Sequence, residues 1–534
     1  MIFKSAIKEF LNRSLDDWSF TKNMPTEVLM KEIHDLVPEM TFKTVPRQAQ
    51  AACVYIGIYV DCFNLWLKMG IGKSKAVLDM VRLKQLMNGD LQKIFLVCLS
   101  EVSCETWREQ IELHSDYTSI GLFGETSQRL ELLKEDRDIY IINYAGLLRL
   151  FSRDRKIKEG VKSRIKTKQE PDPKAIAKFV KNFNCIILDE LPLRSSDKGS
   201  LTFRVLKKMG NDIKYRYNLT GTPFGRDPVK LWSPYYIIDH GETLGHSLEV
   251  FRSAFFSNKA LHFGGVEYTF KKNLEDKLHA TLKHRSIRYT LEEVKDVLPV
   301  SRIIRPVSWP HENLIYYNRA LDGLTEELKH ATDFGSIENS FMKLRQIAAG
   351  FLGFKNDVGD RLQIKFDHNP RLDMLYEILE EIPDEKTIIF YEYTPSGDFI
   401  EELLKKHKID YVRLYGGTKD KIGALRSFLH NKSKRIFLIQ SQSGGVSLNL
   451  QIAKYGIFYE SSVDCVIREQ CEARYTGARQ EHPHAFMYDI VMMNSVDYDI
   501  LQFHKEGKDI TQAIIEGKCS LGRKRTRPRV RRLS

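Results

Sequence analysis

A lysine and a serine follow two glycines early in the chain, in the string KMGIGKSKAVLD. Gly70 and Gly72 allow the backbone to bend so that its N–H groups converge on a phosphate, and Lys73 can reach the β- and γ-phosphates of a nucleotide. Ser74 can offer its hydroxyl to Mg²⁺, and the apolar pattern that follows predicts a helix whose N-terminus faces the same phosphate. Because Leu67 stands where the full phosphate-loop spacing has glycine, a simple glycine-rich turn remains an alternative.

Two adjacent acids, Asp189 and Glu190, end the apolar run CIILDE. A carboxylate at the carboxyl end of a buried parallel strand lies at the edge of the sheet where ligands bind. The position predicts that Asp189 holds Mg²⁺ and that Glu190 orients or deprotonates an attacking water. Taken alone, two such acids also fit a solvated strand edge.

Short apolar runs alternate with helical patterns in both halves of the chain. The runs have the length and β-branched content of buried parallel strands, which predicts α/β domains with doubly wound parallel sheets. They lie at residues 94–100, 139–144, 185–190 and 215–222, and at 387–393, 411–416, 435–441, 455–461 and 485–491.

Two sets of such runs predict two lobes separated by a helical, charged stretch. We divide the chain into an N-terminal helical extension, a first lobe that binds the nucleotide, a helical protrusion with a hinge, a second lobe and a basic tail. The predicted bounds are 1–40, 41–245, 246–364, 365–510 and 511–534.

The formal charge of +12 is concentrated in two stretches. Residues 153–174 carry nine Lys/Arg against four Asp/Glu, and residues 523–532 carry seven basic residues and no acid, so the two surpluses equal the whole net charge. Basic arms of this kind are typical of contact with a polyanion. Arg523, Lys524 and Arg525 are therefore candidate nucleic-acid contacts, with a solvated charge run as the alternative. Neither stretch has an apolar face, which disfavours a membrane surface.

The chain has eight cysteines, and their spacing fits no metal site. No apolar run approaches the length of a membrane span, and the first residues lack the apolar core of a signal peptide. We therefore expect a protein with reduced cysteines inside the cell.

The strings MGIGKS, LDE and LTGTP, the last followed by Trp232, resemble the motifs of superfamily 2 helicases and most closely those of the Swi/Snf-like branch of DNA translocases. This resemblance implies two RecA-like lobes with ATP in the cleft between them. PRQ resembles the adenine-reading segment of the family, which assigns Gln48 to the base. IINYAGL resembles the segment that touches the DNA backbone, which assigns Asn143 and Tyr144 to that role.

The second lobe carries similar strings. SQSGGVSLNLQIA resembles a later motif of the family, in which Ser443 and Gly444 are candidates for contact with a phosphate backbone. REQCEARYTGARQ resembles the arginine-finger motif and assigns to Arg474 the stabilisation of charge on the transferring phosphoryl group. The family places a second arginine three residues later, where this chain has Gly477, and Arg479 is the nearest candidate.

The resemblance implies an ATPase that uses Mg²⁺ and moves along duplex or branched DNA without sequence preference, in replication, recombination or repair. Translocation is favoured over strand separation, and the compact organisation suits a viral or prokaryotic enzyme. Two alternatives remain, an RNA helicase of the same superfamily and a catalytically degenerate nucleic-acid-binding module.

Overall fold

The fold is taken from a computed structural model. It describes residues 7, 9–68, 70–91, 93–159, 164–191, 198–221, 228–260, 266–290, 293–294, 300–329, 334–355, 361–444, 450–476, 480 and 482–505. The chain divides into two units, Met1–Val297 and Leu298–Ser534. Among the helices described, none is both long and apolar enough to cross a lipid bilayer.

The described strands of the first unit form one large sheet and two hairpins. They are β1 (Cys62–Leu67), β2 (Lys93–Cys98), β3 (Ser119–Gly121), β4 (Ile139–Asn143), β5 (Ser152–Glu159), β6 (Arg164–Pro171), β7 (Phe183–Asp189), β8 (Tyr215–Leu219), β9 (Phe256–Ala260), β10 (Val266–Phe270) and β11 (Ser286–Tyr289).

Helices connect these strands. They are α1 (Thr26–Leu36), α2 (Gln48–Tyr59), α3 (Lys73–Asn88), α4 (Glu101–His114), α5 (Thr126–Leu132), α6 (Tyr144–Phe151), α7 (Pro173–Val180), α8 (Leu201–Gly210), α9 (Trp232–Asp239), α10 (Leu248–Phe255) and α11 (Glu275–Leu282), with 3₁₀ turns at Trp18–Asn23, Pro228–Leu231 and Lys272–Leu274.

The large sheet of the first unit has the strand order β11-β1-β8-β7-β2-β4-β3, and all of its pairings are parallel. Side chains of successive residues point to opposite faces of a strand, so a sheet covered on both faces has apolar residues at every position. In β2, Ile94 and Leu96 pack into one core, and Phe95 and Val97 pack into the other. The sheet is therefore buried on both faces, and chemistry is confined to its edges.

The second unit repeats this plan with a smaller sheet. Its described strands are β12 (Val300–Val307), β13 (Phe351–Lys355), β14 (Arg361–Lys365), β15 (Thr387–Tyr391), β16 (Tyr411–Leu414), β17 (Ile436–Gln440), β18 (Tyr455–Phe458) and β19 (Ala485–Met492). Its helices are α12 (His311–Lys329), α13 (Phe334–Ala348), α14 (Pro370–Glu381), α15 (Thr394–Lys406), α16 (Lys421–His430), α17 (Ser441–Gly444), α18 (Cys465–Ala473) and α19 (Val496–Lys505).

The sheet of the second unit has the order β12-β19-β18-β15-β17-β16, again with parallel pairings only. The nine apolar runs singled out in the sequence correspond to β2, β4, β7 and β8 in the first sheet and to β15 through β19 in the second. The prediction of two doubly wound parallel-sheet lobes is confirmed.

The segment 246–364, expected to be a helical protrusion, contains strands as well as helices. Residues 286–289 form β11, which pairs with β1, and residues 300–307 form β12, which pairs with β19. The boundary between the two units follows Val297 and therefore falls inside the segment predicted to be the protrusion. Neither strand has the continuous apolar run of a buried parallel strand. β11 is only 4 residues long, and β12 is an edge strand along which exposed and partly buried residues alternate.

A buried acid of the second unit makes its stability depend on pH. Burial raises the pKa of Glu460 to about 7, and the nearby Glu392 carboxyl adds to this rise. The backbone N–H of Glu392, 2.8 Å from Glu460 Oε2, the Ser396 hydroxyl and the Arg371 charge oppose it. Protonated Glu460 is thus the form that the folded state favours.

We predict that Glu460→Gln stabilises the protein at high pH. The pKa of Glu460 is about 7 in the folded protein against a usual 4.5. The contribution of protonated Glu460 to the free energy of unfolding is therefore complete below the unfolded pKa and is lost as the pH rises through 7. The neutral amide should remove a penalty on the order of 3 kcal/mol at about pH 8 and change little at about pH 5. Urea unfolding of the full chain at both pH values measures this effect. Glu312→Gln, an exposed acid on α12, is the control, and equal midpoints for Glu460→Gln and wild type at high pH would contradict the assignment.

Candidate nucleotide-binding site

The glycine-containing loop lies between β1 and α3, at the carboxyl edge of the first sheet. Gly70 and Gly72 have φ angles of 90° and 91°, in the left-handed region that favours glycine. A Cβ at Gly72 would lie 2.1 Å from Gln50 Nε2, and this amide donates to the carbonyl of Ile71 at 3.0 Å. The loop is thereby tied to α2 and leads into the N-terminus of α3, where backbone N–H groups and the helix dipole favour an anion.

Lys73, the first residue of α3, meets the two predicted acids. Its Nζ lies 3.6 Å from Asp189 Oδ1 and forms a closer ion pair with Glu190 Oε1. Asp189 and Glu190 are each only 2% exposed. The structure therefore brings Lys73 together with two adjacent acids that lie more than a hundred positions further along the chain.

Glu190 is held from a second strand as well. Its φ of 54° is unusual for a residue with a side chain, and its backbone N–H donates to the carbonyl of Leu219 at 2.8 Å. Thr220, directly after β8, donates its hydroxyl to Glu190 Oε2 at 2.6 Å. Thr220 belongs to the string LTGTP, and the structure shows the carboxylate that its hydroxyl contacts.

Two aromatic residues hold Asp189 in place, and the sequence pattern did not indicate this role for either of them. Trp107 is 2% exposed, lies within α4, and donates its indole N–H to Asp189 Oδ2 at 3.0 Å. Tyr144 is 3% exposed and donates its hydroxyl to the backbone carbonyl of Asp189 at 3.1 Å. The preceding Asn143 accepts the N–H of Gly146 at 2.7 Å and caps α6. The segment predicted to touch DNA thus also supports the acid strand.

Gln48, predicted to read the adenine base, lies at the start of α2. Its Nε2 lies within hydrogen-bond distance of three backbone carbonyls, those of Thr21, Lys22 and Met24, at 2.9, 3.2 and 3.1 Å. The side-chain amide therefore joins the 3₁₀ turn of residues 18–23 to α2.

Arg474 directly follows α18 in the second unit and is 6% exposed. Its backbone carbonyl accepts the N–H of Leu450 at 3.1 Å. Ser443 and Gly444 form the end of α17, and only their backbone is described. Arg479 and the tail residues Arg523, Lys524 and Arg525 lie outside the described residues.

Arg468 is a buried residue of the second unit whose role the sequence did not reveal. Its guanidinium pairs with Asp489 of β19 at 2.9 Å and with Glu472 of the same helix at 2.6 Å. It also lies 3.4 Å from the centroid of the Phe458 ring. These contacts fix α18 against the sheet and so set where the helix ends, one residue before Arg474.

The residues around the loop fit a nucleoside triphosphate with a divalent cation. The glycine turn and the N-terminus of α3 can surround a phosphate, and Lys73 supplies a positive charge beside it. Carboxylate and hydroxyl oxygens are the ligands that Mg²⁺ prefers, and Asp189 with Ser74 could provide them. The site on the parallel sheet defines the first unit as a phosphate-loop α/β lobe, the class to which nucleoside triphosphatases belong.

Comparisons with known proteins narrow this class. The SNF2-related domain matches residues 65–350, and the helicase conserved C-terminal domain matches residues 370–476. The chain belongs to the SNF2-related family, and both of its sheets are those of RecA-like lobes.

Several known helicases and DNA repair proteins are similar to this chain. An ATP-dependent helicase of Mycoplasma genitalium, MG018, is 23% identical over 83% of this chain and 39% of its own length. A RAD54-like DNA repair and recombination protein of Drosophila mojavensis is 26% identical over 61% of this chain and 45% of its own. The chain thus spans less than half the length of these relatives. The solved SWI2/SNF2 ATPase core of Sulfolobus solfataricus in complex with double-stranded DNA is 19% identical, with a TM-score of 0.38, over 89% of this chain and 94% of that one.

We predict that Trp107→Phe raises the Mg²⁺ concentration that half-maximal nucleotide binding requires. The change keeps an aromatic ring in the core but removes the N–H that orients the Asp189 carboxylate, and lost support of a metal ligand lowers metal affinity by roughly 10- to 100-fold. Titration of Mg²⁺ against binding of a fluorescent ATP analogue measures the change. Tyr144→Phe is the control, because its hydroxyl contacts the backbone of Asp189 and not the carboxylate. An unchanged Mg²⁺ midpoint in Trp107→Phe would refute this role.

Proposed function

We propose that this chain is an ATP-dependent DNA translocase, which couples ATP hydrolysis to movement along duplex or branched DNA in replication, recombination or repair. The observation that carries the proposal is the cluster of Lys73, Asp189, Glu190 and Thr220 at the carboxyl edge of the first sheet. A lysine, a metal-binding acid and a second acid for water are the groups that phosphoryl transfer needs.

Binding of the triphosphate would rearrange this cluster. Lys73 is paired with Glu190 in the structure, and the charge of the β- and γ-phosphates would compete for its ammonium group. Glu190 would then be released to accept a hydrogen bond from the attacking water. Thr220 holds the other carboxylate oxygen, so the acid keeps its orientation while its partner changes.

Ser74 and Asp189 would hold Mg²⁺. The bound cation would neutralise charge on the phosphate oxygens. Trp107 keeps one oxygen of Asp189 in a fixed direction by donating its indole N–H to that oxygen.

Arg474 of the second unit is proposed as the arginine finger, with Arg479 as the second arginine. A planar guanidinium suits the stabilisation of charge that develops on a transferring phosphoryl group. The family resemblance implies that hydrolysis is coupled to opening and closing of the two lobes. Gln48 would contribute to recognition of the base.

DNA is proposed as the track because the similar RAD54-like protein is named for DNA repair and recombination. The segment of Asn143 and Tyr144, the loop of Ser443 and Gly444, and the basic tail would contact the DNA backbone. Such contacts carry no sequence information and are sensitive to salt. A DNA substrate would place the protein in the compartment that holds the DNA.

The rate of ATP hydrolysis with different nucleic acids tests the proposal. We expect duplex or forked DNA to stimulate hydrolysis more than single-stranded DNA or RNA. Stronger stimulation by RNA would favour an RNA helicase. Absence of hydrolysis with every nucleic acid would favour a degenerate binding module, which the intact Lys73, Asp189 and Glu190 argue against.

We predict that Lys73→Ala abolishes hydrolysis and leaves DNA binding largely intact. The loss removes the charge beside the phosphates and leaves the buried Glu190 without its cation, so turnover should fall by at least about 100-fold. ATPase assays and fluorescence anisotropy with labelled duplex measure the two properties. Lys31→Ala, an exposed lysine on α1, should behave as wild type, and substantial turnover in Lys73→Ala would show that the loop is misassigned.

We predict that removal of residues 521–534 weakens DNA binding and flattens its salt dependence, while basal hydrolysis is unchanged. The deleted stretch carries seven basic residues, and each phosphate contact contributes about 0.9 to the slope of log affinity against log salt. A chain with a Gly/Ser tail of equal length is the matched control for length. Unaltered affinity at low salt would assign the tail to another role.

A further inference from the structure

The basic insert of the first unit folds into a two-stranded antiparallel ribbon, β5 and β6. Its register pairs Ser152 with Pro171 and continues to Glu159 opposite Arg164. The ribbon forms a separate sheet, since neither strand pairs with the seven-stranded sheet of the unit. The insert therefore has a defined backbone of its own.

The base of the ribbon is anchored to the core of the first unit. Phe151, the residue before β5, is 3% exposed, and its carbonyl accepts the N–H of Asp172 at 2.8 Å. Ser152 Oγ donates to the carbonyl of Leu148 at 2.6 Å, and Arg204 Nη2 of α8 donates to the carbonyl of Gln169 at 3.1 Å. The ribbon thus leaves the unit in a fixed direction.

The register places two positive charges opposite each other. Arg155 pairs across the ribbon with Lys168, and both side chains are exposed. Like charges directly opposite in an antiparallel pair are destabilising. Glu170 relieves this in part, because it lies 2.8 Å from Arg153 and 3.4 Å from Arg155. Within the part of the chain that the structure describes, Lys168 has no acidic partner.

Apolar packing along the ribbon does not account for its stability. Apart from Pro171, the described side chains along its base are polar or charged, and most are exposed. An isolated two-stranded ribbon is marginally stable in water. An anion placed between the guanidinium of Arg155 and the ammonium of Lys168 would turn the repulsion between them into attraction.

The position of the ribbon indicates the kind of anion that would lie between Arg155 and Lys168. It begins directly after α6, whose first residue Tyr144 donates to the backbone of Asp189. A polyanion held by the ribbon would therefore lie one short helix away from the acid strand of the nucleotide site. The charge surplus of residues 153–174, five positive charges, suits a repeating chain of phosphates better than a single ion.

We propose that the β5–β6 ribbon is a DNA contact of the first unit, which grips the phosphate backbone of duplex DNA through Arg155 and Lys168. This inference rests on the proposed function and adds a contact site to it. Contacts with phosphates do not distinguish bases. They therefore add affinity for DNA, and salt dependence of that affinity, without sequence preference.

The test removes the two charges and measures DNA binding without nucleotide. The variant is Arg155→Gln/Lys168→Gln, and the control is Lys31→Gln/Lys432→Gln, which removes two exposed lysines outside the ribbon. Fluorescence anisotropy with a labelled duplex of about 30 base pairs, titrated over a range of salt concentrations, gives the affinity and its slope. We expect the slope to fall by roughly two in the ribbon variant, as for two lost phosphate contacts, and to stay nearer the wild-type value in the control.

Hydrolysis provides a second readout. In the ribbon variant, basal hydrolysis should equal that of wild type, the DNA concentration for half-maximal stimulation should rise, and maximal turnover should stay unchanged. Circular dichroism checks folding, and Lys168→Gln alone, with an expected slope change of about one, serves if the double variant is unstable.

Equal slope and affinity in wild type and ribbon variant would overturn the inference, as would an equal loss in the control. Lack of DNA-stimulated hydrolysis by wild type would instead refute the proposed translocase activity. The binding measurement does not depend on hydrolysis, so the two failures can be told apart.

Discussion

The buried ion pair between Lys73 and the acids at the end of β7 is the interaction on which the first unit depends. Asp189 and Glu190 are each 2% exposed, and a carboxylate without water is costly unless a charge and hydrogen bonds replace its solvation. Lys73 supplies the charge, and Trp107 and Thr220 supply donors. The glycine loop, α4 and the ends of β7 and β8 must therefore keep their relative positions for any of them to be stable.

Buried arginines have the corresponding role in the second unit. Arg371, which is 1% exposed, donates to the carbonyls of Ala348 at 2.8 Å and Ile490 at 2.9 Å and pairs with Asp497. It thereby joins the end of α13 to β19 and α19, while Arg468 joins α18 to β19. A guanidinium carries five N–H donors in a rigid, planar arrangement, so it can satisfy several acceptors that are fixed in direction. The position of Arg474 follows from this framework, since it lies at the end of the helix that Arg468 holds.

Several side chains with assigned binding roles also have structural partners. Gln48 contacts backbone carbonyls of residues 21–24, Asn143 caps α6, and Tyr144 supports Asp189 from within the core. Such contacts are compatible with a role in binding. A residue that holds the site in place and also contacts a ligand connects the ligand to the surrounding fold. They do mean that substitutions at Tyr144 or Asn143 would change stability as well as binding.

The sequence by itself determined the α/β class and nine of the parallel strands, because buried parallel strands are continuous apolar runs. It also located the glycine turn and the two acids of the candidate nucleotide site, because these patterns are local. It also located the basic insert, since charge surplus is visible in composition. Only the tertiary structure decided that Trp107 and Thr220 orient the acids and that Arg155 faces Lys168 across a ribbon. It also added the edge strands β11 and β12, which are too short or too polar to stand out. These features depend on contacts between distant residues, and no local pattern of residue types specifies which distant partner a side chain meets.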